Sequence, residues 1–150
     1  MKKATVIINK KAKFEYILNN SFVSGIVLTG AEIKSIRQNK VSIRDSFCKF
    51  KNNELFIINM SIEKYKYSND EFYNPKRPRK LLLNKVELGK INKYIVQKGS
   101  SIIPYKLFIN EKGLAKLEIY TAVGKKLFDK RSVIKDRDNK RSLERIKKNN

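Results

Sequence analysis

Cations lie beside aromatic rings or prolines in three stretches of this chain, and that pairing suits one chemistry: neutralising phosphates and stacking on unpaired bases. The first stretch is Asn9-Lys10-Lys11-Ala12-Lys13-Phe14-Glu15-Tyr16, three cations and two rings. Lys10, Lys11 and Lys13 suit phosphate contact, while Phe14 or Tyr16 suits stacking, worth about 1–3 kcal/mol per base. The competing use of either ring is the protein core, where aromatics are more often found. The second stretch is Pro75-Lys76-Arg77-Pro78-Arg79-Lys80. Its prolines hold the backbone extended, so its four cations predict a compact phosphate clamp, with a solvated charge run as the alternative. The third is 124–150, with eleven cations against four anions, a net of +7. After Phe128 its only branched apolar residues are Val133, Ile134, Leu143 and Ile146. Such a segment cannot bury enough surface to fold alone, yet its residues are good helix formers, so folding onto RNA is expected. An inert solubilising tail is the alternative.

The charge balance sets the class of partner. Thirty-five Lys+Arg face fourteen Asp+Glu, a formal net charge of +21 in 150 residues. Lys outnumbers Arg 27 to 8, which an AT-rich coding bias would produce, but such a bias does not create an excess of cations over anions. Charge of this size repels itself in the compact state and calls for a polyanion, with nucleic acid ahead of a membrane surface. Catalysis is hard to build from the same inventory. The chain has no His, which removes the commonest general base and the commonest zinc ligand. Cys48 is the single cysteine; it lies in an alternating apolar stretch and reads as a buried structural thiol. The six glycines are not clustered, so there is no phosphate-cradling loop. Glu32, Asp45, Glu118 and Asp129 are magnesium candidates, but they are scattered singly. No enzyme, metal or cofactor is expected. No apolar run approaches the length of a membrane span, and the apolar part of 1–9 is too short for a secretory signal, so a cytoplasmic protein is expected.

The elements that must position these residues are short. Residues 5 to about 30 carry short β-rich pieces, notably Tyr16-Ile17-Leu18 and Gly25-Ile26-Val27-Leu28, and Ala31 to Arg37 reads as a helix capped by Thr29 or Gly30. Val41, Ile43 and Phe47 alternate with Ser42, Arg44 and Ser46 as in a strand, which turns at Lys51-Asn52-Asn53-Glu54 into Leu55-Phe56-Ile57-Ile58. Residues 63–80 form a long polar, aromatic and basic loop. A helix is predicted from about Asn84 to Lys98, with Leu88, Ile91 and Ile95 on one face and Gly99 ending it. A last hairpin joins 105–109 to 114–121; on its second strand Lys116, Glu118 and Tyr120 share the outward face, which sets Lys116 beside an aromatic ring. After Val123 the apolar pattern stops, dividing the chain into a domain at 1–123 and a basic tail at 124–150. The fold class is mainly β with short helices (α+β): a closed or partly open β-barrel of the oligonucleotide-binding kind, with a split α+β sheet as the competing architecture.

In this order, several pieces resemble the small protein B (SmpB) family, the bacterial partners of transfer-messenger RNA in ribosome rescue. They are Asn9-Lys10-Lys11-Ala12-Lys13 with Tyr16, the run from Gly25 to Arg37, Asp45-Ser46, Arg77-Pro78-Arg79-Lys80-Leu81-Leu82-Leu83, and Gly124-Lys125-Lys126 with Asp129-Lys130-Arg131. The resemblance implies an oligonucleotide-binding-type barrel that binds the tRNA-like domain of transfer-messenger RNA. It also implies a basic tail that is disordered in isolation and becomes helical in the decoding centre and empty mRNA channel of the small ribosomal subunit. Carried over, it puts Lys10, Lys11, Lys13, Lys34, Arg37, Leu82 and Lys116 at or near the RNA, and the basic stretches themselves add Phe14, Arg77, Arg79 and Lys80. Gly124, Lys125, Lys126, Phe128, Asp129, Lys130 and Arg131 would meet the ribosome. A monomer that binds no membrane is expected. Phe14 and Phe128 stand where the family usually has His, or His or Tyr, which keeps stacking and loses a titrating hydrogen-bond partner. Val23 stands where some members carry a carboxylate.

Overall fold

The computed structural model describes residues 5–125. The described chain opens with strand β1 (Val6–Ile8), the six-residue helix α1 (Lys10–Glu15) and the eleven-residue strand β2 (Tyr16–Ile26). Helix α2 (Gly30–Arg37) follows. Its start is a capping box: the Glu32 amide donates to Thr29 Oγ1 at 3.2 Å, and the Thr29 amide donates to the Glu32 carboxylate at 3.0 Å. Next come β3 (Val41–Ser42), β4 (Phe47–Lys51), β5 (Glu54–Ile58), β6 (Ser61–Ile62) and, after a long loop, β7 (Arg79–Leu82). Helix α3 (Lys85–Lys98) has the same box, built by Asn84 and Glu87. The long hairpin of β8 (Ser101–Ile109) and β9 (Ala115–Gly124) completes the described fold.

Pairing runs from β8 to β9, β2, β7, β5 and β4, and from β4 back to β8, all antiparallel. The result is a closed ring of six strands, with β1 added along β8. Closure pairs strand edges that an open sheet would expose. Inside lie Leu55, Ile57, Ile62, Leu107, Leu117 and Ile119, all fully buried, with Ile36 of α2 and Ile91 of α3 packed against them. Each such side chain contributes roughly 1.5–3 kcal/mol by leaving water. A second, smaller cluster of Ala12, Ile103 and Ala122, with Tyr16, Leu18 and Tyr105 beside it, seats α1 on the hairpin.

The mostly-β fold with short helices agrees with the reading of the sequence. The hairpin turn at Asn52-Asn53 is also as predicted: both asparagines have positive φ, 51° and 63°, as a two-residue turn of the favoured hand requires. Three local expectations are corrected. Tyr16–Leu18 and Gly25–Ile26 belong to one strand, kinked where its register with β9 shifts between Leu18 and Ser21. The Thr121 hydroxyl accepts from Asn20 N and Nδ2 there, at 3.2 and 3.3 Å, which satisfies the disrupted backbone. The strand expected over Val41–Phe47 is broken by a turn in which Ser46 Oγ donates to the Ile43 carbonyl. The break reverses the alternation, so Phe47 faces solvent and Cys48 faces the core. Burial drives the Cys48 thiol pKa far up, keeping it an inert thiol. Helix α1, finally, lies in a stretch that the sequence presents as β-rich, because six residues are too few to show a helical period.

Gly99 ends α3 in the left-handed region at φ 61°, its amide donating to the Ile95 carbonyl at 3.0 Å. Gly99→Ala is expected to lower stability by about 1 kcal/mol, since a Cβ is disfavoured at that φ. A urea unfolding curve with an unchanged midpoint would contradict this.

Candidate RNA interface

Two cross-strand rows build the outer face of the β7–β2–β9–β8–β1 side. Register aligns Leu82, Gly25, Lys116, Phe108 and Val6 in one row. It aligns Val23, Glu118, Lys106 and Ile8 in the next. Directly paired residues project to the same side, so Lys116 stands outward between a glycine and an aromatic ring. Leu82, 52% exposed, is one apolar end of its row, and Val6 is the other. Gly25 makes room for it: a Cβ at that position would lie 3.2 Å from Leu82 Cβ. Lys106 Nζ sits 5.3 Å from the Phe108 ring centre. The sequence placed Lys116 outward, and the structure sets Leu82 one row position beyond Gly25 from it.

A chain of rings extends this face to α1. Tyr120 Oη donates to Glu118 Oε1 at 2.7 Å, and that hydrogen bond, with burial, raises the phenol pKa so that it stays protonated. Tyr105 meets Tyr120 edge to face at 5.7 Å, and Lys13 Nζ lies 5.0 Å over the Tyr105 ring. Helix α1 is held at its start by Asn9, whose Nδ2 donates to the carbonyls of Ile43 and Pro104 at 3.3 and 3.1 Å. Phe14 projects from it at 79% exposure, whereas Tyr16 packs against the smaller core cluster. Of the two rings the sequence offered for stacking, Phe14 is therefore the available one. Lys10 is exposed. Lys11 bonds Asp45 at 3.2 Å and Glu15 at 3.4 Å, and the Asp45 hydrogen bond raises its pKa. The period of two already puts Tyr120 on the outer face of β9 with Lys116 and Glu118, but it misses Tyr105 as the partner of that ring. The irregularity between Pro104 and Lys106 hides their shared face from a period-of-two reading.

The clamp expected at Pro75–Lys80 does not form. Arg79 is fully buried: Nε donates to Glu32 Oε2 at 2.7 Å, Nη1 to the Met60 carbonyl at 2.9 Å, and Nη2 to Tyr73 Oη and the Pro75 carbonyl at 3.2 and 3.1 Å. It is a structural cation, not a phosphate contact. The sequence hides this because β7 alternates, so Arg79 and Leu81 point inward while Lys80 and Leu82 point outward. Arg77 donates to Glu32 Oε1 at 2.6 Å and is 40% exposed, so only part of its guanidinium faces solvent. Lys80 pairs with Glu54 at 3.0 Å on the surface. Glu32 is the buried counter-charge of this group. Burial alone would raise its pKa, but the Thr29 amide and the two guanidiniums outweigh that and hold the carboxyl below its usual range.

Lys34 lies over the Tyr65 ring at 5.4 Å, and Arg37 lies against the β8–β9 turn, 3.4 Å from where a Gly113 Cβ would stand. Three of the four carboxylates considered for magnesium are otherwise engaged, Glu32 by arginines, Asp45 by Lys11 and Glu118 by Tyr120, and Asp129 lies outside the described residues. Among the described residues, no group of three or more His, Cys, Asp or Glu converges. Gly124 ends β9 opposite Tyr16, so the chain leaves the ring beside the C-terminal end of α1, with Lys125 exposed. Lys126, Phe128, Asp129, Lys130 and Arg131 lie outside the described residues.

Comparison with known proteins is consistent with this geometry. A family model described as SmpB protein matches residues 6–149. A Flavobacterium psychrophilum protein named SsrA-binding protein is 55% identical over 148 residues, 99% of either chain. A Bacteroides thetaiotaomicron protein of the same name is 49% identical over 147 residues, 97% of this chain and 98% of its own. A solved structure described as "tmRNA-SmpB: a journey to the center of the bacterial ribosome" includes a chain 38% identical, with a TM-score of 0.68 over 81% of this chain and 85% of that one. With its whole folded body and most of its basic end inside the matched region, this chain belongs to the SmpB family.

Proposed function

We propose that this protein is a non-enzymatic RNA-binding adaptor of trans-translation: it binds the tRNA-like domain of transfer-messenger RNA and delivers it to stalled ribosomes. The outer face from Leu82 through Lys116 to Lys13 carries the reading, because it is the continuous surface on which cations, rings and exposed apolar groups alternate. Such a surface recognises RNA by shape, phosphate and stacking, not by base sequence. The relatives' name, SsrA-binding protein, and the transfer-messenger RNA in the matched structure supply the partner's identity. The body, 1–123, holds the RNA. The tail, 124–150, meets the ribosome through Gly124, Lys125, Lys126, Phe128, Asp129, Lys130 and Arg131, and becomes ordered only where the mRNA channel is empty. Such a protein acts in the cytoplasm as a monomer, and no helix among the described residues is long and apolar enough to cross a membrane.

The test is the RNA itself. Sequencing what co-purifies from native cells is expected to return one species a few hundred nucleotides long; bulk ribosomal RNA in its place would mark a constitutive ribosomal protein and refute the assignment. Lys116→Ala is expected to weaken binding to the tRNA-like domain about three- to tenfold and to flatten log K against log salt by about 1 unit. A variant with unchanged slope would remove Lys116 from the interface.

A further inference from the structure

The long loop between β6 and β7 displays an ordered line of cations and rings that the outer face does not use. Lys34 Nζ stands 5.4 Å from the Tyr65 ring centre, Tyr65 meets Tyr67 edge to face at 5.5 Å and 67°, and Lys66 Nζ stands 5.6 Å from the Tyr67 ring centre. The order in space is thus cation, ring, ring, cation. Tyr67 is 72% exposed, while the segment before it is fixed to α2. Ser35 Oγ donates to the Glu63 carbonyl at 2.8 Å, the Glu63 amide to the Lys40 carbonyl at 3.0 Å, and the Ser68 amide to the Tyr65 carbonyl at 2.9 Å. A short hydrogen-bonded turn therefore presents the exposed ring of Tyr67 beside the half-buried ring of Tyr65, with little ordering left to do on binding. Of the loop's anions, Glu63 precedes the line and Asp70 and Glu71 follow it, with Lys64 and Lys66 between them.

We propose that Tyr65 and Tyr67, flanked by Lys34 and Lys66, form a stacking platform for unpaired nucleotides of the RNA that the protein carries. The rings take bases, and the two ammonium groups take the phosphates beside them. Paired bases hide their faces in the helix, so a platform of rings selects unpaired ones without regard to identity. A protein partner fits less well, because a cation at either end of the line and the +21 net charge favour a polyanion. The proposal rests on the RNA-binding reading above and gives that reading a second contact site, on the loop.

The test uses the full-length protein and a labelled oligouridine of about 12 nucleotides, titrated at several salt concentrations. Tyr67→Ala is expected to weaken binding at least about fivefold, and Tyr65→Ala/Tyr67→Ala further, with the salt slope unchanged because no charge is lost. Tyr65→Phe/Tyr67→Phe is expected to bind as the natural chain does, since it keeps the rings. Lys66→Ala is expected to reduce the slope by about 0.7, the single-strand value for one phosphate. Oligouridine affinity within twofold of the natural chain for Tyr67→Ala at every salt would overturn the platform. The tRNA-like domain, titrated in parallel, separates the two claims. Failure of the natural chain to bind it, with oligouridine binding still dependent on Tyr67, refutes the adaptor reading and leaves the platform standing.

Discussion

Glu32→Ala is expected to lower the unfolding free energy by about 3–5 kcal/mol, because it strips a fully buried guanidinium of its counter-charge. Arg79 has no exposure, and Glu32 bonds both it and Arg77 while closing the capping box of α2. One carboxylate thus ties α2, β7 and the loop before β7, and Tyr73 joins it with a hydroxyl that donates to the Ile62 carbonyl at 2.8 Å. Removing the acid leaves a charge that cannot reach water, so the cost exceeds that of any surface pair among the described residues. The measurement is a urea unfolding curve; a loss below about 1 kcal/mol would show that Arg79 finds water or another partner. A double variant, Glu32→Leu/Arg79→Met, separates the pair from the group. It is expected to be more stable than Glu32→Ala, since two apolar side chains leave no buried charge unmatched. The same carboxylate gives stability a pH dependence of known sign. Its native pKa lies below the ordinary value of 4.5, so its contribution is fully present above that value and is lost as pH falls through the lowered native one.

This network shows where the sequence was legible and where it was not. Charge, the missing His and the period-of-two strands depend on residue type and spacing alone, so the RNA-binding class and the mostly-β fold could be read directly. The box at Thr29–Glu32 and the stop at Gly99 are local in the same way. Whether a cation faces solvent is different, because it depends on the pairing of distant strands. Pro75–Lys80 reads as four equivalent cations, yet β7 alternates, and Arg79 falls on the inner face opposite Glu32, 47 residues away. The face that joins Lys13 to Tyr105 and Tyr120 is hidden for a related reason: an irregular register in β8 brings together rings whose spacing signals nothing. The platform of Tyr65 and Tyr67 lay in a loop that could be called functional, though not for what.

Ending the chain after Lys125 is expected to leave affinity for the tRNA-like domain within a few fold and to abolish rescue. The folded ring accounts for the first half: every residue of the Leu82–Lys116–Lys13 face lies in 5–125, as do the two buried clusters described above. The charge distribution accounts for the second. The net of +7 in 124–150 is a third of the whole chain's +21, in a segment that adds few branched apolar groups. Cations without a core suit a phosphate-lined channel better than a packing role. The structure also moves the cut. Gly124 pairs with Tyr16 across the β2–β9 ladder, so removal of 124–150, the division that the apolar pattern suggested, would trim the strand on which Tyr16 rests. A stop after Lys125 keeps that pairing, and a stop after Val123 is expected to be slightly less stable. Nascent-chain tagging in a reconstituted translation system, beside a direct RNA titration, reads both halves. Loss of RNA binding in the Lys125 truncation would show that body and tail share one RNA site, and full tagging would show that the ribosome is met by the ring itself.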